Sequence, residues 1–576
     1  MENLVEIGKQ LKEKYLNYID TSIPLPCAGY QDERRALYEQ EGVIMQSPII
    51  EFIKKYEPLK TLNDVCVENK LDPSIAEFLN LGLLKNDDGS ERKLYKHQID
   101  SVVEVLANKK NLIVTTGTGS GKTECFMIPL IANLIHEAKT WEKREDINRN
   151  DNRSRAVRAM ILYPLNALVE DQMIRLRKTL GSADVKNWLD KNCKNNRIFF
   201  GRYTGRTERS REAGHKYERN WKALKNELEN SSDERIKELT YLIPCTDDPA
   251  EMLFRDSMIE TPPDILITNY SMLNIMTMRS QEEGVFEKTR NWLEEDESHV
   301  FTLVIDELHS YRGTAGTEVA YMIKVLIDRL GLQNKPKQIR FLCSSASLSV
   351  SKENEKFIED FFGCPYENFV HIYDDKEIIA SIDKPFPTEI CQQITELFPL
   401  SENKISEIEQ ILKTQGFNSI SDFVMRENII DRVKSIVNTE TSHAKTVSYI
   451  AEKLFPEKSN KLNLTEAVLF LINNTKEANG SFAHPMRVHY FARHIDKLWI
   501  CSSPDCNQVD EKFKSSKRKF GKLYATPQNR CACGAKIFEV VVCRQCGEIY
   551  LAGYEENYIL SNNPRHYLII RENQIK

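Results

Sequence analysis

Short apolar runs alternate with helical patterns between residues 91 and 350. The runs are NLIVTT, AMILYP, RIFFGRYT, DILITN, FTLVIDE and IRFLCSSA, each bounded by turn residues or followed by a stretch with helical spacing of apolar residues. Strands that are buried on both faces of a sheet read as continuous apolar runs, and joining them in parallel requires a crossover that is usually a helix. The sequence therefore predicts an α/β lobe in which helices cover both faces of a parallel sheet.

The patterns on either side of this lobe are different. Residues 1–90 alternate short helical patterns with loops, residues 351–480 lose the strand signal, and residues 481–576 combine cysteine pairs with short strand patterns. We therefore predict four parts: a helical N-terminal region, the α/β lobe of residues 91–350, a helical insertion, and a cysteine-rich module.

Composition narrows the class of protein. The chain of 576 residues is 41% hydrophobic and 28% charged, which is typical of a globular protein with several domains. The formal net charge is −6, so any contact with nucleic acid has to come from local patches. The sequence shows no secretion signal and no run of about eighteen apolar residues, and we expect a cytoplasmic protein without a membrane segment.

The stretch TTGTGSGKTE (115–124) lies between a predicted strand and a predicted helix. Backbone N–H groups in such a loop surround the phosphates of a nucleotide, and glycines allow the tight path. Lys122 is expected to reach the β- and γ-phosphates and the Thr123 hydroxyl to bind Mg²⁺, although Thr116 replaces the usual first glycine. The predicted cofactors are ATP and Mg²⁺, bound at Thr118, Gly119, Ser120, Gly121, Lys122 and Thr123.

An acidic pair supports the nucleotide site. The segment VIDELH places Asp306 and Glu307 at the end of a predicted apolar strand. Asp306 is expected to hold Mg²⁺ through water, and Glu307 to orient and deprotonate the attacking water. An acidic pair alone is usually a solvated strand end, but together with a phosphate loop it indicates a site for nucleotide hydrolysis.

The segments TGSGKT, DELH and SSAS, in this order, resemble motifs of the superfamily 2 helicases and translocases of the DEAD/DEAH type. The resemblance implies a RecA-like ATP-binding lobe and an ATP-dependent helicase or translocase activity. It also implies that Gln98 in LYKHQ hydrogen-bonds the adenine base. By the same resemblance, Ser345, Ala346 and Ser347 couple the state of the nucleotide to movement.

Three further segments resemble the strand-tracking motifs of that family: YPLNALVEDQ (163–172), YTGRT (203–207) and ITNYSML (267–273). The resemblance implies that they grip the phosphates of one nucleic-acid strand, which positions the strand without reading its sequence. The residues implied are Tyr163, Pro164, Asn166, Thr204, Gly205, Arg206, Thr268 and Asn269.

A narrower resemblance joins YPLNALVEDQ, YTGRT, DELHSYRGTAG and the downstream cysteine region. Together they look like the large prokaryotic helicases of anti-phage defence systems, of the DISARM and Druantia kind. This resemblance implies a role in defence or DNA repair. It also implies DNA rather than RNA as the nucleic acid, with other defence-system proteins as partners.

Six of the 14 cysteines are crowded between residues 501 and 546. Clustered pairs in a long chain without a secretion signal indicate metal ligands rather than disulfides. Four thiolates give Zn²⁺ a closed tetrahedral site with a structural role. The six are Cys501, Cys506, Cys531, Cys533, Cys543 and Cys546. We favour the first four as one site with the last pair nearby or sharing, while the alternative takes the last four; an iron–sulfur cluster or a redox pair is less favoured.

The segment EKFKSSKRKFGK, between the first and second cysteine pairs, has two interpretations. It is either a solvated loop or a contact for nucleic-acid phosphates beside the zinc module.

A helicase of this superfamily needs a second lobe, whose arginine stabilises charge on the γ-phosphoryl group from the far side of the ATP cleft. Residues 351–576 contain no segment that resembles the arginine-rich motif of such a lobe. We therefore expect full ATP hydrolysis to need a second RecA-like lobe in a longer chain or in a partner chain. The rival interpretation is a non-catalytic ATP- and DNA-binding subunit of a multiprotein complex.

Overall fold

The computed structural model divides into two compact units, one of residues 54–376 and one that joins residues 1–53 to 377–576. The structure describes residues 4–86, 90–117, 119–143, 153–233, 236, 239–244, 250–346, 348, 350–373, 385–438, 444–477, 483–495, 497–543, 545, 547–556, 559–562 and 568–570. The four-part division at residues 90, 350 and 480 stays a prediction.

The strands are numbered in chain order. They are β1 Ile49–Phe52, β2 Asn111–Thr115, β3 Ala159–Tyr163, β4 Phe200–Tyr203, β5 Glu251–Met252, β6 Ile265–Asn269, β7 Phe301–Ile305, β8 Ile339–Ser345, β9 Phe369–Tyr373, β10 Ala444–Thr446, β11 Met486–His489, β12 Leu498–Cys501, β13 Leu523–Tyr524, β14 Ile537–Val542, β15 Ile549–Glu556, β16 Ile559–Ser561 and β17 Leu568–Ile570.

The α-helices surround these strands in sequence. They are Leu4–Ser22, Ala28–Glu39, Leu62–Glu68, Ser74–Leu79, Lys96–Leu106, Lys122–Ala138, Asn166–Gly181, Ala183–Asn192, Arg211–Glu229, Arg255–Glu260, Tyr270–Met278, Glu283–Glu295, Gly313–Arg329, Lys352–Phe362, Thr388–Thr395, Ile405–Thr414, Ile420–Arg426, Ile429–Val437, Val447–Leu454 and Lys461–Asn473. Among the helices in the described ranges, none has an apolar run long enough to span a bilayer.

The unit of residues 54–376 is built on one sheet. Eight described strands lie in the order β5-β4-β6-β3-β7-β8-β2-β9, and their pairings are parallel. Alternate residues of a strand face opposite sides: Leu112 and Val114 enter one apolar core, and Ile113 enters the other. Both faces are therefore covered, which explains the continuous apolar runs and confirms the predicted α/β fold.

The loops that carry the predicted site residues lie at one edge of the sheet. In a parallel sheet the carboxyl ends of the strands meet at the same edge, and ligands bind where helices lead away on both sides. The phosphate loop follows β2, the acidic pair follows β7, and the three strand-tracking segments follow β3, β4 and β6. These segments, which are far apart in sequence, are therefore placed along a single edge.

The other unit has a helical part and a strand part. The helices between Thr388 and Asn473 share an apolar core with Ile50 of β1, which pairs with β10 and β11. In the strand part, an antiparallel sheet runs β13-β12-β14-β15-β16, and β17 pairs with β15. Leu25 and Tyr30, from the beginning of the chain, pack into the core of this second sheet.

Candidate ATP and metal sites

The phosphate loop connects β2 to the helix Lys122–Ala138. Gly119 and Gly121 have φ values of 81° and 78°, in the left-handed region that glycine enters without steric cost. A Cβ on Gly121 would lie 2.4 Å from Nε2 of Gln98, so close packing also requires glycine there. The loop therefore has the tight path of a phosphate-binding turn; Thr118 lies outside the described residues.

Lys122 is oriented into its own loop. Its Nζ donates a hydrogen bond to the carbonyl oxygen of Thr116 at 3.2 Å, and the residue is only 9% exposed. The hydroxyls of Thr116 and Ser120 lie 2.6 Å apart and brace the same turn. The ammonium group is thus already inside the loop, where a phosphate oxygen would be a stronger partner than the carbonyl.

Gln98 lies directly behind the loop and is fully buried. Its Nε2 donates to the carbonyl oxygen of Gly121 at 3.0 Å, and its Oε1 accepts from the backbone N–H of Tyr95 at 3.0 Å. The neighbouring His97 places Nε2 2.8 Å from the carbonyl oxygen of Ser120. Both side chains therefore hold the phosphate loop, and the contact between Gln98 and adenine stays a prediction. His97 was not predicted, although it stands inside the quoted segment LYKHQ.

The acidic pair extends from the end of β7. Oδ1 of Asp306 accepts hydrogen bonds from the Ser344 hydroxyl and from the backbone N–H of Glu307, the latter at 3.0 Å. Glu307 has φ 54°, a left-handed conformation that is uncommon for a side chain of this size and typical of constrained sites. Only β8 separates β7 from β2, so this pair lies about 10 Å along the sheet from the phosphate loop.

The end of β8 connects to the acidic segment through His309. Nδ1 of His309 lies 3.2 Å from Oε2 of Glu307 and 3.4 Å from the hydroxyl of Ser345. The backbone N–H of Ala346 points to the same nitrogen at 3.5 Å, and Ser347 lies outside the described residues. The predicted coupling segment thus contacts the predicted base, with His309 and Ser344 as participants that the sequence did not single out.

Two asparagines join two of the predicted strand-tracking segments. Nδ2 of Asn269 donates to Oδ1 of Asn166 at 2.7 Å, and Oδ1 of Asn269 caps the helix Tyr270–Met278 by accepting from the N–H of Met272. Gly205 and Arg206 are exposed, and Pro164 is half-buried. Backbone and amide groups therefore reach the surface at the ends of β3, β4 and β6, where a nucleic-acid strand has access to them.

Three other residues of the predicted strand contact are buried. They are Tyr163, Thr204 and Thr268, each at most 1% exposed. Thr268 donates to the carbonyl oxygen of Tyr203 at 2.7 Å, and Thr204 accepts from the N–H of Arg206 at 3.4 Å. Burial raises the pKa of the Tyr163 phenol well above its usual value, with nearby Asp306 adding to the shift. In this conformation these side chains shape the loops, and their direct contact with a strand stays a prediction.

Four cysteines of the second unit meet in one cluster. Cys501 and Cys506 come from the end of β12 and the turn after it, and Cys531 and Cys533 from the turn before β14. Their sulfur atoms all lie within 4.8 Å of one another. The Sγ of Cys501 is 3.5 Å from that of Cys533, and the Sγ of Cys506 is 3.6 Å from that of Cys531. This is the favoured set of the sequence analysis.

The surroundings of the cluster fit a metal held by thiolates. A Cβ on Gly521 would lie 2.4 Å from the Cβ of Cys506 and 2.9 Å from that of Cys501, so the backbone passes these two cysteines at a distance that only glycine permits. Burial raises the pKa of Cys531, but hydrogen bonds from the Tyr524 hydroxyl and from backbone and thiol groups outweigh it and lower the pKa to about 7. Burial instead raises the pKa of Cys501 and of Cys506. A bound metal cation would favour the thiolate form of all four groups.

Four sulfurs and no open position are the donor set of a structural zinc site. Cys501, Cys506, Cys531 and Cys533 would hold the ion, which would cross-link β12 to the turn before β14. Cys543 lies outside this group, and Cys546 lies outside the described residues.

The basic segment after the first cysteine pair is partly engaged within the protein. Arg518 is buried, forms an ion pair with Glu33 and stacks over the ring of Tyr30, with the guanidinium carbon 4.3 Å from the ring centroid. The backbone N–H of Phe520 donates to the Tyr30 hydroxyl at 2.8 Å. A Cβ on Gly29 would lie 2.3 Å from the carbonyl oxygen of Phe513. The helix Ala28–Glu39 therefore holds this segment in place.

Comparisons with known proteins agree with this geometry. The family model "DEAD/DEAH box helicase" matches residues 95–198, and the model "YjiV N-terminal domain" matches residues 523–574. The chain is 29% identical to Druantia protein DruE of Escherichia coli over 95% of this chain and 33% of DruE. It is 26% identical to the uncharacterized ATP-dependent helicase MJ1574 of Methanocaldococcus jannaschii over 49% of this chain and 30% of that protein. This chain thus spans about a third of the length of these curated relatives.

Among solved structures, the DUF1998 helicase MrfA bound to DNA aligns with 70% of this chain and 47% of its own, at 19% identity and a TM-score of 0.33. Residues 95–198 include the phosphate loop and its supporting residues Gln98 and His97. The matched family and the site geometry agree: the chain carries a DEAD/DEAH box helicase domain.

Proposed function

We propose that this chain is the ATP-binding half of a DNA helicase or translocase that acts in anti-phage defence. The observation that carries the proposal is the arrangement of the sheet edge. The loop with Lys122, the acidic pair Asp306 and Glu307, and the asparagines Asn166 and Asn269 all follow strands of one sheet, and each group is held by hydrogen bonds of its own. A nucleotide site and a strand-binding site on one rigid sheet are what an ATP-driven motor needs.

In this proposal, each residue of the site has a role in ATP hydrolysis. Water attacks the γ-phosphorus, the bond to the bridging oxygen of the β-phosphate breaks, and Glu307 accepts the proton from the attacking water. Lys122 stabilises the charge on the γ-phosphate oxygens. His309, 3.2 Å from Glu307, and Ser345 beside it connect this step to the end of β8. Release of the γ-phosphate therefore acts directly on the predicted coupling segment.

Magnesium fits the same site. Thr123 supplies a hydroxyl oxygen and Asp306 a carboxylate oxygen, and hard oxygen donors of this kind are the ligands that Mg²⁺ prefers. The hydrogen bonds from Ser344 and Glu307 fix the orientation of the Asp306 carboxylate. When bound there, Mg²⁺ would be held by Thr123 and Asp306 and would neutralise charge on the phosphates of the nucleotide.

A second RecA-like lobe, in cis or in trans, completes the site in this proposal. Stabilisation of the γ-phosphoryl group from the far side is worth about 10³–10⁵-fold in rate in enzymes that use an arginine for it. The lobe described here supplies the near side, and we expect it to bind ATP more readily than it hydrolyses it.

The defence role is supported by the 29% identity to Druantia protein DruE across 95% of this chain. We infer that other defence-system proteins are its partners and that DNA is its substrate. We place the protein in the cytoplasm, a reducing compartment in which a cluster of four thiols does not oxidise to disulfides.

The test is the ATPase rate of this chain with and without single-stranded DNA, alone and with a protein that carries the second lobe. We expect a low basal rate that rises only when both DNA and the second lobe are present. Lys122→Ala should abolish the rise, and Lys337→Ala, an exposed lysine at the opposite end of the sheet, should leave it intact. If Lys122→Ala preserves function in the assembled complex, the chain is a non-catalytic subunit and the motor proposal is wrong.

A further inference from the structure

The outer face of the antiparallel sheet carries an ordered row of side chains. Trp499 of β12 lies opposite Glu539 of β14, which lies opposite Ala552 of β15. Residues that are directly opposed in an antiparallel sheet point to the same face, and so do residues two positions apart on one strand. Tyr554 of β15 therefore shares this face with the row, and Lys497, which directly precedes β12, donates a hydrogen bond to Glu539.

The inner face of the same sheet is apolar and already covered. Ile500, Phe538 and Leu551, the immediate neighbours of the row, belong to a buried core that includes Tyr30. On the outer face, Trp499 packs against the smaller apolar cluster that contains Cys501 and Ile537 and stays partly exposed, whereas Glu539 and Tyr554 belong to neither cluster.

A cavity of about 550 Å³ lies on this outer face. Ala552 and Gly553 form its floor because they have little or no side chain, while Trp499 and Tyr554 also line it. The loop residues Pro527, Gln528 and Asn529, together with Asn562, provide the wall. Its size falls in the range of about 300–1,000 Å³ that is typical of small-ligand pockets.

The wall is fixed by backbone hydrogen bonds. The N–H of Ile537 donates to the carbonyl oxygen of Asn529 at 3.3 Å, and Nδ2 of Asn562 donates to the same oxygen at 2.8 Å. Cys531, one of the four clustered thiols, comes two residues after Asn529. A metal ion held by these thiols would therefore also fix this side of the cavity.

The lining has a specific chemistry. Two aromatic rings offer faces for stacking, and the amide side chains of Gln528 and Asn529 offer both donors and acceptors. The one acidic group, Glu539, is paired with Lys497 at 2.9 Å. The lining residues have no net positive charge to attract a free phosphate into the cavity, and an aliphatic group would leave the amides without hydrogen bonds. A flat heteroaromatic ring with polar edges uses both features.

Basic side chains flank the cavity. Arg530, which follows Asn529 in the wall, is exposed, and Lys536, which precedes the lining residue Ile537, pairs with it across the turn. A ring in the cavity would thus have cationic groups close by for an attached phosphate backbone.

We propose that this pocket binds one unpaired nucleobase of single-stranded nucleic acid, stacked on Trp499 or Tyr554, with backbone phosphates near Arg530 and Lys536. The inference rests on the proposed function, because it takes nucleic acid as the substrate of this chain. It adds a second strand contact, on the metal-binding module, to the contact on the helicase lobe. Only an unpaired base has a free edge and two free faces, so the pocket selects single strands over duplex.

The test uses the full chain and a short oligothymidylate that carries photoreactive 5-iododeoxyuridine. Irradiation followed by peptide mapping should locate a crosslink at Trp499 or Tyr554. A matched oligomer with abasic sites, which keeps the phosphates and loses the bases, should bind about tenfold more weakly, since each stacked base contributes roughly 1–3 kcal/mol. The crosslink needs no substitution, so it does not depend on a variant that folds.

Variants give a second measurement. Tyr554→Ala and Gln528→Ala should each weaken oligothymidylate binding several-fold, with the metal content unchanged. Tyr449→Ala, which removes an exposed tyrosine from the helical part of the same unit, is the matched control and should bind as the parent does. Crosslinks that map only to the lobe, with unaltered binding by the pocket variants, would overturn this inference and leave the proposed function standing. An absence of any oligomer binding beside normal ATP binding would instead refute the strand-binding part of the proposed function, and this inference with it.

Discussion

Oγ1 of Thr115 lies 2.9 Å from Nε2 of His371. Thr115 is the last residue of β2 and leads directly into the phosphate loop, whereas His371 belongs to β9, the neighbouring strand of the sheet. The other ring nitrogen of His371 is 3.0 Å from the hydroxyl of Tyr366. Burial lowers the pKa of His371 to about 4. A neutral imidazole therefore joins the edge strand to the start of the loop.

This histidine predicts a pH dependence of stability. Its pKa is about 4 in the folded state, against about 6.5 in the unfolded chain, so the unfolded chain binds more protons between these values. The contribution of His371 to the free energy of unfolding is fully present above about pH 6.5. It decreases as the pH falls toward about 4, by up to about 3 kcal/mol. The unit that contains His371 also contains the phosphate loop, so its thermal unfolding can be recognised as the transition that an ATP analogue shifts. We expect the midpoint temperature of this transition to fall as the pH is lowered from about 6.5 to about 4.

The control is His371→Gln, which keeps a hydrogen-bonding side chain and removes the titration. The variant should have a flatter dependence on pH, whatever its absolute stability. If its transition falls with pH as steeply as that of the parent, other groups account for the acid sensitivity and His371 does not.

Glu307→Gln tests the predicted general base. The substitution keeps the size of the side chain and removes the proton acceptor, so hydrolysis should fall by about 10²–10⁴-fold while ATP binding stays within a few-fold of the parent. Single-turnover hydrolysis in the presence of the second lobe and DNA measures the first quantity, and titration with a fluorescent ATP analogue the second. Glu294→Gln, at an exposed position of the helix Glu283–Glu295, should change neither. Loss of ATP binding in Glu307→Gln would mean that Glu307 holds the nucleotide rather than activating water.

Asn269→Asp separates strand binding from helix capping. An aspartate still accepts the hydrogen bond from the N–H of Met272, so the helix Tyr270–Met278 should keep its cap and the stability should change by less than about 0.5 kcal/mol. The same change removes the amide that contacts Asn166 and adds a negative charge where phosphates are expected. Affinity for single-stranded DNA should therefore fall, with a larger effect at low salt.

The comparison for this variant is Asn274→Asp, an exposed asparagine on the same helix. It adds the same charge without touching the Asn166–Asn269 pair. Equal losses of DNA affinity in both variants would show that general charge repulsion, and not the asparagine pair, controls binding at this edge.

Runs of apolar residues in the sequence were sufficient to predict the central strands of the parallel sheet but not its edge strands. The continuous apolar runs that correspond to β2, β3, β6, β7 and β8 are buried on both faces, and this double burial is what makes them visible in the sequence. Strand β9, with the sequence FVHIY, lies at the edge of the sheet and mixes polar with apolar positions. It was not predicted because an edge strand lacks the continuous apolar signal.

In the candidate site, residues within short motifs could be predicted from the sequence, whereas contacts between residues far apart in the chain could not. Lys122, Asp306 and Glu307 stand in short segments whose spacing indicates their chemistry, so the sequence alone predicts their roles. His371 contributes through a partner 256 residues away, and Ser344 contacts Asp306 across 38 residues. Such contacts depend on the order of the strands in the sheet, and that order cannot be predicted from the spacing of residues along the chain. The four thiols of the metal cluster were identified because two pairs of cysteines stand out in any sequence.

Removal of single thiols tests the metal cluster. Cys501→Ser should lower the metal content of the purified chain and destabilise the cysteine module, because three sulfurs cannot close a tetrahedral site. Cys543→Ser, at a cysteine outside the cluster, should keep the metal. Cys501 belongs only to the favoured set of ligands and Cys543 only to the alternative set, so elemental analysis of both proteins decides between the two. Loss of metal from Cys543→Ser and retention by Cys501→Ser would reverse the assignment.

Glu33→Gln tests whether the helix Ala28–Glu39 is part of the cysteine module. Burial raises the pKa of Glu33 even though Arg518 opposes the shift, so the burial cost exceeds the attraction within the pair. Such a pair adds little net stability, but removing one partner leaves a buried charge alone, which costs about 3–5 kcal/mol. We therefore expect a large loss of stability in chemical denaturation and easier loss of metal to a chelator. Glu39→Gln, at an exposed position of the same helix, should change stability by less than about 0.5 kcal/mol. If the two variants are equally stable, the helix packs beside the module without supporting it.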